Sequence, residues 1–321
     1  MIDAYGRKIN YMRISITDRC NLRCRYCMPN GIELVPMDDI LTFEEIVRVC
    51  EAGVRVGITK VRVTGGEPLV RKDCPDLIAM LKAIPGMEKV SLTTNGVFLR
   101  QYGDRLKKAG LDGVNISLDT TDDKLYADIT GKNTMAQVMA GLNSMIERNI
   151  PVKINAVLMA DINPQEWEPL TAIAGSYPAD VRFIELMPIG EGKQHPGISN
   201  KDVYQQICRK YPSIQPDLIP RGDGPAVYYQ IPGFSGRIGF ISAIHGRFCS
   251  SCNRIRLTAE GKLKPCLCFA DAIDIKEILR RRSAEALAAA LMTSVQSKPP
   301  GHCFEDDEMI TESRQMFKIG G

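Results

Sequence analysis

Eleven cysteines are distributed over 321 residues, and seven of them fall into two tight groups. Cys20, Cys24 and Cys27 lie close together near the start. Cys249, Cys252, Cys266 and Cys268 lie close together near the end. In a reducing compartment such grouping calls for metal chemistry or catalysis rather than disulfides. Cys50, Cys74, Cys208 and Cys303 stand alone and read as small buried hydrophobes. Three neighbouring thiols can hold a 4Fe-4S cluster and leave one iron free for another molecule. Arg19, Arg23 and Arg25 are expected to favour thiolates and to offset the cluster's negative charge. Two plainer readings of the first group are a buried helix stripe and three ligands of a zinc site. The arginines and the Pro29-Asn30-Gly31 break weigh against a long buried helix, and no histidine before His195 offers zinc a nearby fourth ligand.

Other polar groups recur at fixed places. Thr64-Gly65-Gly66-Glu67-Pro68, Thr93-Thr94-Asn95-Gly96 and Ser117-Leu118-Asp119 each close an apolar run. Glycine lets backbone approach a ligand closely, and a carboxylate such as Glu67 could pair with an ammonium group. In the second group Cys249-x2-Cys252-x13-Cys266 fits a zinc ribbon, completed by Cys268, or a second cluster with three ligands. Arg254 and Arg256 follow at i and i+2, so on an extended segment they share a side and can fork onto phosphates. Arg62 and Lys153 are cations inside apolar runs. They would be costly there unless paired, with a bound anion or with a carboxylate such as Glu185.

The elements that must position these groups alternate. Strands are expected over 12–17, 60–64, 89–94, 113–118, 152–158 and 181–186, several of them nearly continuous Val/Ile/Leu runs suited to burial on both faces. Amphipathic segments separate them. Thr42 and Glu45 form a capping box ahead of a helix over 42–56, and Met135, Val138, Met139, Leu142 and Ile146 mark another over 133–148. The fold class is therefore α/β, a partial (βα)6 TIM-like barrel over 1–190, with the cysteine loop at a strand's C-terminal end, where parallel barrels place their chemistry. Residues 188–200 read as a loop. A smaller C-terminal domain over 191–321 follows, expected to pack over the open side. It has a helix near 200–210, strands over 226–231 and 237–241, and an Ala-rich helix around 274–293.

Cys-x3-Cys-x2-Cys with Tyr26 before the third cysteine resembles the motif of radical S-adenosylmethionine (SAM) enzymes. From Arg13 to Gly321 the chain resembles the GTP 3',8-cyclase family of molybdenum cofactor biosynthesis. The resemblance implies a first 4Fe-4S cluster on Cys20, Cys24 and Cys27, with the methionine amine and carboxylate of SAM on its open iron. It implies SAM contacts from Tyr26, Gly66, Ser117 and Met187, the Gly-Gly-Glu-Pro motif meeting the amine. A second 4Fe-4S cluster falls on Cys249, Cys252 and Cys266, with Cys268 a bystander on the same side of a strand-like run. GTP falls to Arg13, Arg62, Thr93, Lys153, Arg254, Ile255 and Arg256, approached by the terminal Gly320-Gly321. The implied reaction takes hydrogen from the ribose C3', joins C3' to C8 of guanine, and adds one electron and one proton. The implied partners are an electron donor and the downstream cyclic pyranopterin monophosphate synthase, with room for a homodimer. Two other readings are a radical SAM enzyme modifying a peptide or protein, and a non-enzymatic zinc-binding protein. A net charge of +3 argues for no nucleic-acid surface. No apolar run approaches membrane-spanning length, and nothing near Met1 reads as a signal peptide, so a cytoplasmic location is expected.

Overall fold

The computed structural model describes residues 1–28, 33–281 and 283–320. The Pro29-Asn30-Gly31 break and Gly321 lie outside the described residues. Six βα units open the chain, in strands β1 (Tyr11–Ser15), β2 (Lys60–Thr64), β3 (Lys89–Thr94), β4 (Val114–Ser117), β5 (Val152–Val157) and β6 (Ala179–Ile184). Adjacent strands pair in parallel, in sequence order. The intervening helices are α1 (Phe43–Arg55), α2 (Cys74–Lys82), α3 (Leu99–Lys108), α4 (Asp123–Thr130), α5 (Met135–Glu147) and α6 (Trp167–Ser176). The capping box forms, Thr42 Oγ1 accepting from Glu45 N–H (3.2 Å) and Glu45 Oε2 from Thr42 N–H (2.8 Å).

Alternation along each strand separates core from lumen. In β1, Met12 and Ile14 are fully buried in the main hydrophobic cluster, and Arg13 between them reaches the lumen cavity. In β2, Val61 and Val63 join the same cluster while Arg62 is half-buried on the other side.

The C-terminal residues widen this arc as well as covering it. After α7 (Asn200–Lys210) come β7 (Gln215–Pro216), β8 (Val227–Gln230) and β9 (Ile238–Ile241), and β9 pairs in parallel with β6. The next strand, β10 (Arg254–Leu257), pairs in parallel with β1 at the opposite edge. The six-stranded run expected from the sequence is therefore extended to eight parallel strands. Antiparallel β8 and β7 flank one side, and β11 (Lys262–Lys264) and β12 (Ile273–Asp274) flank the other. The sheet remains open, and residues 242–253, which include Cys249 and Cys252, cross from one edge to the other. The single helix expected around 274–293 is two, α8 (Lys276–Arg280) and α9 (Ala284–Gln296). Ser283 caps the second by accepting from Ala286 N–H (3.1 Å). Among the described residues no helix is long and apolar enough to cross a membrane.

Candidate active site

The first cysteine loop can fold back over the C-terminal ends of the strands because two glycines leave it room. A Cβ on Gly66 would stand 2.4 Å from the Arg19 carbonyl oxygen, and one on Gly65 would stand 2.6 Å from that of Thr17. Instead Gly66 N–H donates to Thr17 O (2.7 Å) and Glu67 N–H to Arg19 O (2.8 Å), which pins the loop to the end of β2. Leu22 N–H donates to Cys20 Sγ (3.4 Å), and the N–H groups of Cys27 and Met28 turn back to Cys24 O (3.0 and 2.8 Å). Cys20, Cys24 and Cys27 thereby line one cavity of about 330 Å³, together with Tyr26, Gly66, Ser117 and Met187.

Two expectations for this end need correcting. Arg23 lowers the Cys20 thiol, but the arginines do not outweigh burial. Arg23 donates to the carbonyls of Cys20 and Leu22, and Arg25 pairs with Asp128 at the surface. Burial dominates and pushes Cys20 up to about 11 and Cys27 to about 12. Cluster assembly must then displace protons from buried thiols. Glu67 offers no carboxylate to an ammonium group. It is fully buried, accepting from Leu69 N–H (2.9 Å), Thr94 Oγ1–H (2.8 Å) and Asn95 N–H (2.7 Å), so it braces the ends of β2 and β3. Asp119 acts similarly, taking the Tyr26 hydroxyl (2.6 Å) and Val157 N–H (2.8 Å). Burial raises it to about 6.

Cys249, Cys252 and Cys266 line the same cavity. Cys252 lies just before β10 begins beside Tyr11, whereas Cys20 lies just after β1 ends, so the two triads face the lumen from opposite ends. Their surroundings differ. Lys298 is buried, donating to Arg254 O (2.8 Å) and Pro265 O (2.7 Å), with its ammonium 3.8 Å from Cys252 Sγ. Burial alone would raise the Cys252 thiol, but Lys298 and Arg254 bring it below its ordinary value. His302 N–H donates to Cys249 Sγ (3.4 Å), and Arg7 ties Cys249 O (2.9 Å) to Pro299 O (2.7 Å). Cys268 departs from its expected placement. Pro265 lies beyond the last residue of β11, so no strand carries Cys268 alongside Cys266. Its sulfur is fully buried against Cys303, outside the cavity wall.

Between the triads runs a row of cations. Pairing places Arg256, Arg13 and Arg62 side by side on β10, β1 and β2. Arg13 is pushed well down by burial and by Arg256, Arg62 and Arg254 around it. Arg62 donates to Tyr11 Oη and Thr93 Oγ1, and among the described residues no carboxylate pairs with it. Lys153 does meet a carboxylate, Asp180 (3.5 Å), and not Glu185, which accepts from Asn200, Ile244 and His245. A second cavity of about 110 Å³ shares Arg13 and Arg254 with the wall of the first and is also lined by Arg62 and Lys153. Thr93 and Arg256 line the first cavity. Ile255 turns its side chain into the hydrophobic core and lines neither. Arg256 Nη1 donates to Gly320 O (2.6 Å), bringing the penultimate glycine to the site.

Lys60, Lys89, Arg182 and Arg221 also line the second cavity and were missed. Arg182 carried the signal that singled out Arg62 and Lys153, a cation inside an apolar strand. Lys298 and His302 carried no comparable signal, because their roles depend on packing against cysteines about 50 residues away.

A parallel α/β arc, a thiol triad after its first strand and a Gly-Gly-Glu-Pro turn after its second define the radical SAM class of enzymes. The Radical SAM superfamily model matches residues 14–172, and the Molybdenum Cofactor Synthesis C model matches residues 179–304. The GTP 3',8-cyclase of Clostridium perfringens (strain 13 / Type A) is 43% identical over 323 residues, covering 100% of both chains. That of Alkaliphilus oremlandii (strain OhILAs) is 44% identical over 326 residues, again covering 100% of both. The chain belongs to the GTP 3',8-cyclase family. Its fold is also that of Streptococcus suis SuiB bound to S-adenosylmethionine, with a TM-score of 0.67 at 13% identity, covering 97% of this chain and 77% of that one.

Membership implies SAM and an iron–sulfur cluster, and the cavity's residues fit both. The thiols of Cys20, Cys24 and Cys27 share its wall with Gly65 and Gly66, and among the described residues the buried Thr64 hydroxyl there has no hydrogen-bond partner. Among the described residues no three His, Cys, Asp or Glu side chains converge as ligands of one ion do.

Proposed function

We propose that this chain cyclises GTP to (8S)-3',8-cyclo-7,8-dihydroguanosine 5'-triphosphate, the first step of molybdenum cofactor biosynthesis, with SAM and two 4Fe-4S clusters. The observation that carries the reading is the in-register row Arg256–Arg13–Arg62, whose first two members line the cavity shared by both thiol triads and whose last two line the neighbouring cavity. Three adjacent cations repel one another, and a triphosphate relieves that repulsion by accepting from all of them. The reading extends to the relatives' name, which specifies GTP and the 3',8 closure.

When bound, the first cluster and SAM supply a carbon radical able to take hydrogen from a sugar carbon. The chain's own residues do the positioning. Cys20, Cys24 and Cys27 hold the first cluster, and Tyr26, Gly66, Ser117 and Met187 wall the space beside it. Arg13, Arg62, Lys153, Arg254 and Arg256 fix the phosphates, so the ribose is presented toward the first triad at a set depth. The Ile255 side chain is excluded from this contact, leaving only its backbone. Cys249, Cys252 and Cys266 would hold the second cluster, leaving it a coordination site for the substrate. The Arg256–Gly320 bond keeps the tail over the cavity. Residues 1–190 supply six strands of the barrel and the first triad, and residues 191–321 supply two further parallel strands and the second triad, in one cytoplasmic enzyme. It draws electrons from a separate donor and passes its product to cyclic pyranopterin monophosphate synthase.

Anaerobic incubation of reconstituted protein with SAM, dithionite and GTP tests the reading. Expected are GTP-dependent deoxyadenosine and a cyclised nucleotide. Deoxyadenosine formed at the same rate without GTP, with no cyclised nucleotide, refutes it. Cys266→Ser should abolish cyclisation and Cys268→Ser should leave most of it; the reverse would reassign the ligand.

A further inference from the structure

Five cysteines stand outside the two triads. Cys50 and Cys74 are buried singly and Cys208 lies on α7, but Cys268 and Cys303 meet. Their sulfurs are 3.2 Å apart, and Cys303 N–H donates to Cys268 Sγ (3.5 Å). A disulfide needs only about 1 Å of further approach. Cys268 is fully buried, whereas Cys303 is partly exposed and directs its thiol to Met309 O (3.1 Å). The pair joins two segments that matter to the second triad. Cys268 is two residues past Cys266, and its carbonyl accepts from Glu312 N–H (3.2 Å). Cys303 follows His302, whose N–H reaches Cys249 Sγ.

We propose that Cys268 and Cys303 form a covalent redox site, closed to a disulfide by low-molecular-weight disulfides, which clamps the Cys266 loop onto the segment leading to the C-terminal tail. The order of events follows from exposure. The Cys303 sulfur attacks one sulfur of the small disulfide, forming a mixed disulfide and releasing one small thiol. The Cys268 sulfur then attacks Cys303 Sγ and expels the second small thiol. Two protein thiols are oxidised by two electrons, the small disulfide is reduced to two thiols, and both protons leave with them. Each bond made replaces one S–S bond broken, so no other reactant is needed. The six triad cysteines take no part, and the cluster iron stays in place.

The test uses anaerobic holoenzyme with its iron–sulfur content measured, treated with 2-hydroxyethyl disulfide and mapped by peptide mass spectrometry. The expected product is a Cys268–Cys303 cross-linked peptide lacking two hydrogens, reversed by dithiothreitol, with iron content unchanged. Amide exchange over 303–312 should slow about tenfold in the oxidised form, as expected for a segment held against local opening. Two variants separate a built site from incidental reactivity. Cys268→Ser should trap the hydroxyethyl adduct on Cys303, whereas Cys303→Ser should give neither adduct nor cross-link, because Cys268 is out of reach. An adduct on Cys268 in Cys303→Ser would overturn the proposal. So would a stable Cys303 adduct in the unmutated chain, or loss of iron in step with cross-linking. None of these outcomes depends on GTP turnover, so failure here is distinguishable from failure of the cyclase reading.

Discussion

Gly66→Ala isolates the contact that seats the first cysteine loop. The added Cβ would lie 2.4 Å from Arg19 O, 2.7 Å from Arg19 C and 2.8 Å from Asp18 O, all backbone atoms that cannot rotate away. Restoring ordinary contact requires the loop to move by nearly 1 Å, which stretches the bonds from Gly66 N–H to Thr17 O and from Glu67 N–H to Arg19 O. Overpacking of this kind costs about 1–3 kcal/mol, and each weakened bond adds up to about 1 kcal/mol. The melting temperature should fall by roughly 2–10 °C. The larger effect is local. Cys20 moves with Arg19, so the first triad should lose its cluster while Cys249, Cys252 and Cys266 keep theirs, and reconstituted iron should drop to about half. Gly53→Ala serves as the control, since a Cβ there meets Ile58 Cβ at an ordinary 3.5 Å within α1. It should melt no lower than the parent, because alanine favours helix. If Gly66→Ala melts with the parent and binds the same iron, the glycine cradle is not what seats the loop.

Lys264 and Glu312 form a buried pair, and Lys264 also donates to Phe269 O (2.6 Å). Lys264→Met leaves Glu312 with Arg314 alone and should cost about 3 kcal/mol in urea unfolding. Adding Glu312→Leu should recover much of that. Lys298→Met removes the main attraction holding the Cys252 thiol below its ordinary value, so burial takes over and the thiol rises. Alkylation of Cys252 in cluster-free protein near neutral pH should slow about tenfold per unit of rise. An unchanged rate would show that Arg254 and the backbone suffice. Burial raises Glu67 to about 7, above its unfolded value of 4.5. A group raised on folding stabilises most below the unfolded value and loses that contribution as pH rises through the folded one. Stability should therefore fall between about pH 4.5 and 7, by at most roughly 3 kcal/mol. A flat profile would mean that the donors from Leu69, Thr94 and Asn95 outweigh burial.

The local part of the site was legible because period-2 alternation encodes two things at once. In Lys60-Val61-Arg62-Val63-Thr64 the valines specify the helix-facing side, and the remaining positions then have to face the lumen. That logic found Arg62, Lys153, Arg254 and Arg256. Applied evenly it would have found Arg182, set between Val181 and Phe183 on β6. Strand partners are a different matter. Nothing within 238–241 or 254–257 states that the first run extends the sheet beside β6 and the second beside β1, because backbone pairing is not written in side-chain period. That non-local choice has the larger consequence. With β9 and β10 at opposite ends of the parallel run of an open sheet, residues 242–253 have to span the gap, and Cys249 and Cys252 are carried across it. Pro265 beyond β11 then breaks any strand register between Cys266 and Cys268, leaving the first thiol in the cavity wall and the second against Cys303. The composition of the second thiol triad is therefore a consequence of sheet topology. Moving β10 from the edge beside β1 would separate Arg254 and Arg256 from Arg13 and withdraw Cys252 from the lumen together.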